Sequence, residues 1–198
     1  MALPAAAMPD MDGACAKRPM QWGCIGHVEM RSPQSMLKVA GYENHEMLVE
    51  LEQDGVRRRL LVVGKDSFVD RRDDIVAGKH PFAFWGYALA PVLITLPTLF
   101  PDGPDSVPVE PLTRTIQVES NTTATVTASR DADGAIRFRM AGDRFGRFEG
   151  SYRSGLLPAL PGDFDMRGWY RAPPSPSRFG EPPPAPEPAP GERLEQLR

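Results

Sequence analysis

The chain has 198 residues, 41% of them hydrophobic, and a formal net charge of −3. That length and composition suit one ordinary domain and leave little room for a second. Charges of both signs are interleaved, and the triple basic run Arg57, Arg58 and Arg59 stands among Glu46, Glu50, Glu52 and Asp54. The pattern excludes the basic footprint of a nucleic-acid binder and the polybasic stretch that would hold an anionic membrane.

Residues 1–24 read as an irregular N-terminal segment punctuated by Pro4, Pro9, Gly13, Pro19 and Gly23. Its alanine-rich start, Met1 to Ala7, is similar to the small-residue end of a secretory signal peptide, although the charged and apolar parts of such a signal are missing. The segment is read as a signal-peptide remnant, against the plainer reading of a flexible alanine-rich leader, and on that reading the protein is expected in the periplasm or outside the cell. Cys15 and Cys24 fit no zinc-ligand spacing, and in an oxidising compartment they would close a small disulfide loop. Seven of the nine methionines fall in the first 47 residues. Met8, Met11 and His27 supply thioether and imidazole groups that suit Cu(I), against the simpler reading that these methionines fill irregular packing.

Residues 25–171 read as one antiparallel β domain. Met47, Val49 and Leu51 alternate with polar positions, Asp54-Gly55 follows, and Val56 to Val63 continues. An Asp-Gly pair between alternating runs predicts a two-residue hairpin. That turn would set Glu52 against Arg57 and Glu50 against Arg59 on one face, and Val49 against Leu60 and Met47 against Val62 on the other. A slip of one residue would spoil both faces. Thr115 to Glu119 forms another alternating run. A second hairpin is expected from Thr125 to Met140, with a four-residue loop, Asp131 to Gly134, that avoids an Arg130–Arg137 contact. Phe148 to Arg153 and Met166 to Arg171 share the pattern apolar-x-Gly-x-Tyr-Arg and suggest two matching strands bent at glycine.

The run from Phe82 to Phe100 has no charge. Pro91 and Pro97, and strand-like sequence on both sides, argue against a membrane span and for a short helix near residues 82–99 that covers the sheet. Phe82, Phe84, Trp85 and Tyr87 could line an apolar ligand cavity or simply cap the core. From Ala172 the chain turns proline-rich, so 172–198 is expected to be a disordered, extended tail that would serve as a tether.

The resulting fold class is mainly β, an antiparallel sandwich or partly open barrel of about eight strands with one short helix. No nucleophile elbow, phosphate loop or dinucleotide fingerprint occurs, and no motif implies a cofactor. The leading functional expectation is a non-catalytic exported protein of the cell envelope that binds a protein partner or an apolar ligand. The alternatives are a periplasmic copper-binding protein using the methionine-rich segment, and an enzyme with dispersed catalytic residues such as Asp163 and Asp165.

Overall fold

The structure, a computed structural model, describes residues 21–64, 66–71, 92–119, 122–143 and 146–172, with Cys15, Leu89 and the pair Glu187–Pro188. Nine strands carry the fold: β1 (Ile25–Arg31), β2 (Ser35–Gly41), β3 (Glu46–Gln53), β4 (Val56–Val63), β5 (Asp66–Val69), β6 (Leu112–Glu119), β7 (Thr122–Arg130), β8 (Ile136–Gly142) and β9 (Gly146–Ser154). Two two-residue strands, β10 (Tyr170–Arg171) and β11 (Glu187–Pro188), extend one edge. All of them form one open antiparallel sheet in the order β11-β10-β5-β4-β3-β2-β1-β9-β8-β7-β6. The sheet is thus two meanders, β1 to β5 and β6 to β9, joined by the single seam between β1 and β9. A short helix over 92–99 (α1) lies in the connection between them. Of the expected alternatives, a single open sheet forms and not two packed sheets.

The sheet cannot be flat. Leu60 and Val62 of β4 and Val126 and Ala128 of β7, six strands away, are all buried on the face that meets Val92, Leu96 and Leu99 of α1, and one helix ~10 Å wide could not cover both in a flat sheet. Strands spaced ~4.8 Å apart would put those residues roughly 29 Å apart in a flat sheet. The sheet therefore curls around α1, and it has an inner and an outer face. The inner face is the core: Val28, Val39, Val126 and Tyr152 have no exposed surface.

The first hairpin forms with the expected register, including Glu50 opposite Arg59 and Val49 opposite Leu60. Asp54 and Gly55 both adopt positive φ, 52° and 75°, as the tight turn requires. The second hairpin differs from expectation. Arg130 pairs with Ile136, so the loop holds five residues, and Asp131 N–H bonds Ala135 O at 2.7 Å. That register sets Ala128 against Phe138 and Val126 against Met140, apolar side to apolar side. The four-residue loop would have paired Ala128 with Arg137, whereas the observed register keeps Arg130 away from Arg137 and also buries the inner row of β7. The shared glycine pattern also has no structural counterpart. Gly150 sits within β9, whereas Gly168 (φ 80°) lies in a turn and only Tyr170–Arg171 is strand.

The outer face carries a second, smaller core that the sequence reading did not anticipate. Leu61 and Phe68 point outward from β4 and β5 and are fully buried, because Leu160, Met166 and Trp169 lie over them. The stretch 155–172 thus crosses the outside of the sheet, and Ala172 N–H closes it by bonding Ser67 O at 2.8 Å. The expected tail beyond it lies outside the described residues, except that Glu187–Pro188 pairs with β10.

At the other end Cys15 and Cys24 stand at disulfide distance, with Cα atoms 5.4 Å apart. The pair ties the N-terminal segment beside Trp22, whose ring lies 5.0 Å from that of Tyr152. Tyr152 donates its hydroxyl to Trp22 O at 2.7 Å, and burial pushes its pKa well above the ordinary tyrosine value. Reduction should lower stability by a few kcal/mol at most, about 3 kcal/mol being typical of a ring somewhat longer than this one. Denaturation midpoints with and without reductant measure it. Free thiols in protein taken from its native compartment would remove the support that the pair gives to export.

Candidate functional site

The inner face of the sheet and α1 form the candidate site. Strand alternation puts a row of apolar side chains inward from every strand of both meanders. α1 answers with Val92, Leu96 and Leu99 at helical spacing, flanked by buried Leu89 and Phe100. Thr95 is the polar side chain of α1 that turns inward; its hydroxyl lies 3.2 Å from the Met140 sulfur. On the solvent side Ile94 is 48% exposed. Trp22 pins the far end of α1, its indole N–H donating to Phe100 O at 2.9 Å. The arrangement is a curved apolar trough filled by one short helix. Its chemistry is non-directional: it can bury hydrocarbon and offers little for bond making.

The outer face behaves differently. Its register lays charges of alternating sign side by side. Glu29 faces Lys38, Lys38 faces Glu50, and Glu50 faces Arg59, which in turn bonds Asp70 at 2.8 Å. A second row sets Arg57 against Glu52, and Arg31 and Arg139 on either side of Glu149. Each exposed pair contributes ~0–1 kcal/mol, so the ladder serves register and solubility more than stability. Two shallow grooves of ≈ 590 and ≈ 660 Å³ run over this face and share Arg31, Thr127, Arg139 and Glu149. Arginines outnumber glutamates along them, Arg31, Arg137, Arg139 and Arg147 against Glu29 and Glu149.

Several sequence candidates lie outside the described residues: Met8, Met11, Phe82, Phe84, Trp85 and Tyr87. His27 is described. It lies on β1, where burial lowers its pKa while Glu29 opposes the shift and Lys38 and Arg153 add to it. Among the described residues no group of three or more His, Cys, Asp or Glu side chains is placed to hold a metal ion. Among them, too, no helix is long and apolar enough to cross a membrane. Asp165 is engaged locally: Arg167 donates to it from its guanidinium at 2.8 Å and from its backbone N–H at 3.0 Å. Those bonds bring its pKa down to about 2. Its contribution to stability should therefore be complete above the ordinary carboxylate range and be lost as pH falls through about 2. A carboxyl-carbon NMR titration checks this, and a midpoint near the ordinary aspartate value would show that the Arg167 bonds do not persist in solution.

The sequence reading missed fully buried Glu46 and the inward Thr95. Glu46 follows His45 at a strand start, where a carboxylate is ordinarily exposed. Only the tertiary structure reveals that it is enclosed. No protein family, no curated protein and no solved structure matches the chain.

Proposed function

We propose that the protein is a non-catalytic exported β-domain protein of the cell envelope that binds an apolar ligand or a protein partner. One observation carries this reading: the inner face is a continuous apolar trough that, among the described residues, is filled by one short helix. The described turns of α1 over 92–99, ~12 Å long, would have little stability of their own and are held chiefly by packing, with the Trp22 bond to Phe100 O at the end. An apolar guest that makes the same contacts could replace them at small net cost. Compatible with export is the Cys15–Cys24 pair.

Trp22 reports on the trough because it bonds the carbonyl at the end of α1. Titration with a long-chain fatty acid should change Trp22 emission and speed hydrogen exchange across 92–99. Trp22→Phe identifies the signal against Trp85 and Trp169. If α1 stays protected at saturating fatty acid, the apolar-ligand form of the proposal fails and the protein-partner form stands alone.

A further inference from the structure

We infer that the edge of β6, unpaired among the described residues, is a docking strand for an extended segment of a partner protein, and that the segment carries an acidic residue between two apolar ones on one face. The inference rests on the protein-partner form of the proposed function and names the surface and the chemistry.

The two edges of the sheet differ. Beyond β5 the sheet continues into β10 and β11, where Pro188 lies in the last strand. Proline at an edge discourages further pairing. β6 ends the described sheet on the other side. From Leu112 to Ile116 it has no proline, no lysine and no bulge; the irregularity comes later, between Gln117 and Glu119. Of the ordinary devices that blunt an edge, this stretch carries one, the charge of Arg114 on its inner row, which an acidic residue opposite would neutralise.

The register shows which backbone groups face outward. Asp131 N–H bonds Ala135 O, in line with the β7–β8 pairing, so odd-numbered residues of β7 bond to β8. Even-numbered residues of β7 then turn toward β6, as the bond from Arg130 N–H to Pro108 O agrees. Leu112, Arg114 and Ile116 are their partners on β6. The N–H and C=O groups of Thr113 and Thr115 consequently point away from the sheet. Their hydroxyls are already engaged with Thr127 and Thr125, at 2.8 and 3.1 Å, so recognition falls to the backbone and to the inner row.

That inner row is Leu112, Arg114 and Ile116. Leu112 and Ile116 are half-buried and packed on the core, and a strand laid beside them would cover their open flanks. Arg114 between them is exposed and makes no side-chain hydrogen bond or ion pair among the described residues. A carboxylate directly opposite would meet it at cross-strand distance. A second copy of the chain fits less well. Pairing β6 with itself, inner face to inner face, sets Arg114 against the other copy's Arg114 when centred on Arg114, or against Ile116 when centred on Thr115. Neither supplies an acid.

The test uses the full chain and a capped peptide, Ser-Thr-Val-Thr-Glu-Thr-Val-Thr-Ser, beside its Glu-to-Lys counterpart. The acidic peptide should shift the backbone amides of Thr113 and Thr115 saturably, and the Lys peptide should bind roughly tenfold more weakly. Arg114→Glu should reverse that order. Thr115→Pro should abolish binding with the fold intact, because its N–H faces off the sheet. Equal binding of both peptides, or shifts confined to another surface, would overturn the inference. So would concentration-dependent dimerisation removed by Thr115→Pro, which would make a second copy the occupant. A positive fatty-acid titration with no peptide binding would end this inference and leave the proposed function standing.

Discussion

Gly150→Ala should destabilise the protein by about 3 kcal/mol or more, at or above the upper end of the range for overpacking. Gly150 lies in β9, opposite Met30 of β1 and Phe138 of β8. A Cβ there would stand 2.0 Å from Glu29 O and 2.9 Å from Phe138 Cζ. The phenyl ring can turn aside, but the carbonyl belongs to a strand held in register by six residue pairs. The strands would have to separate, and β1–β9 is the one pairing that joins the two meanders. Denaturant midpoints measure the loss. Ser151→Ala, next along the strand and turned outward, should change stability by less than ~0.5 kcal/mol. If Gly150→Ala stays within ~1 kcal/mol of the parent, the seam is looser than described.

Trp169→Ala should release the outer cover. Trp169 is 3% exposed, and its ring meets Phe164 edge-on with centroids 5.8 Å apart. The Arg59 guanidinium lies over the same ring, 5.0 Å from its centre, and is held there by Asp70. Truncating a buried tryptophan costs about 3–5 kcal/mol, and the lost cation–π contact adds about 0.5–1 kcal/mol. The cover has its own small cluster, separate from the main core, so the first effect should be local. Limited proteolysis should cut near Arg167 and Arg171, and amides in 156–171 should exchange faster, before the sheet melts. An unchanged proteolysis pattern with global stability within ~1 kcal/mol would mean that the backbone bonds to β5 hold the cover without Trp169.

The two functional proposals draw on different surfaces and can be tested apart. The trough is apolar and non-directional, so it would select by size and hydrophobicity. The β6 edge is directional, because fixed backbone donors and acceptors and one arginine define a register. The outer charge ladder offers neither property. Its charges of alternating sign largely meet one another across the strands.

The sequence by itself determined the local elements in which one pairing satisfies every side chain. Asp54-Gly55 accepts the positive φ of a tight turn, and only one register sets Glu against Arg outside while setting Val against Leu inside. The charge-free run with two prolines read as a cover for the sheet, and its described part, 92–99, is that helix. Tertiary structure decided what local pattern leaves degenerate. The Asp131–Gly134 loop offered two plausible turns, and burial of Ala128 and Val126 selected a third. Gly150 and Gly168 share one sequence context, yet one marks a close approach of strands and the other a turn, because only β9 lies against a neighbouring strand there. Leu61 and Phe68 stand at outward positions, and their burial depends on a segment about a hundred residues away. The trough, too, is non-local: strands six places apart bury their inner rows on one face only when the sheet curls, and no short-range pattern specifies that curvature.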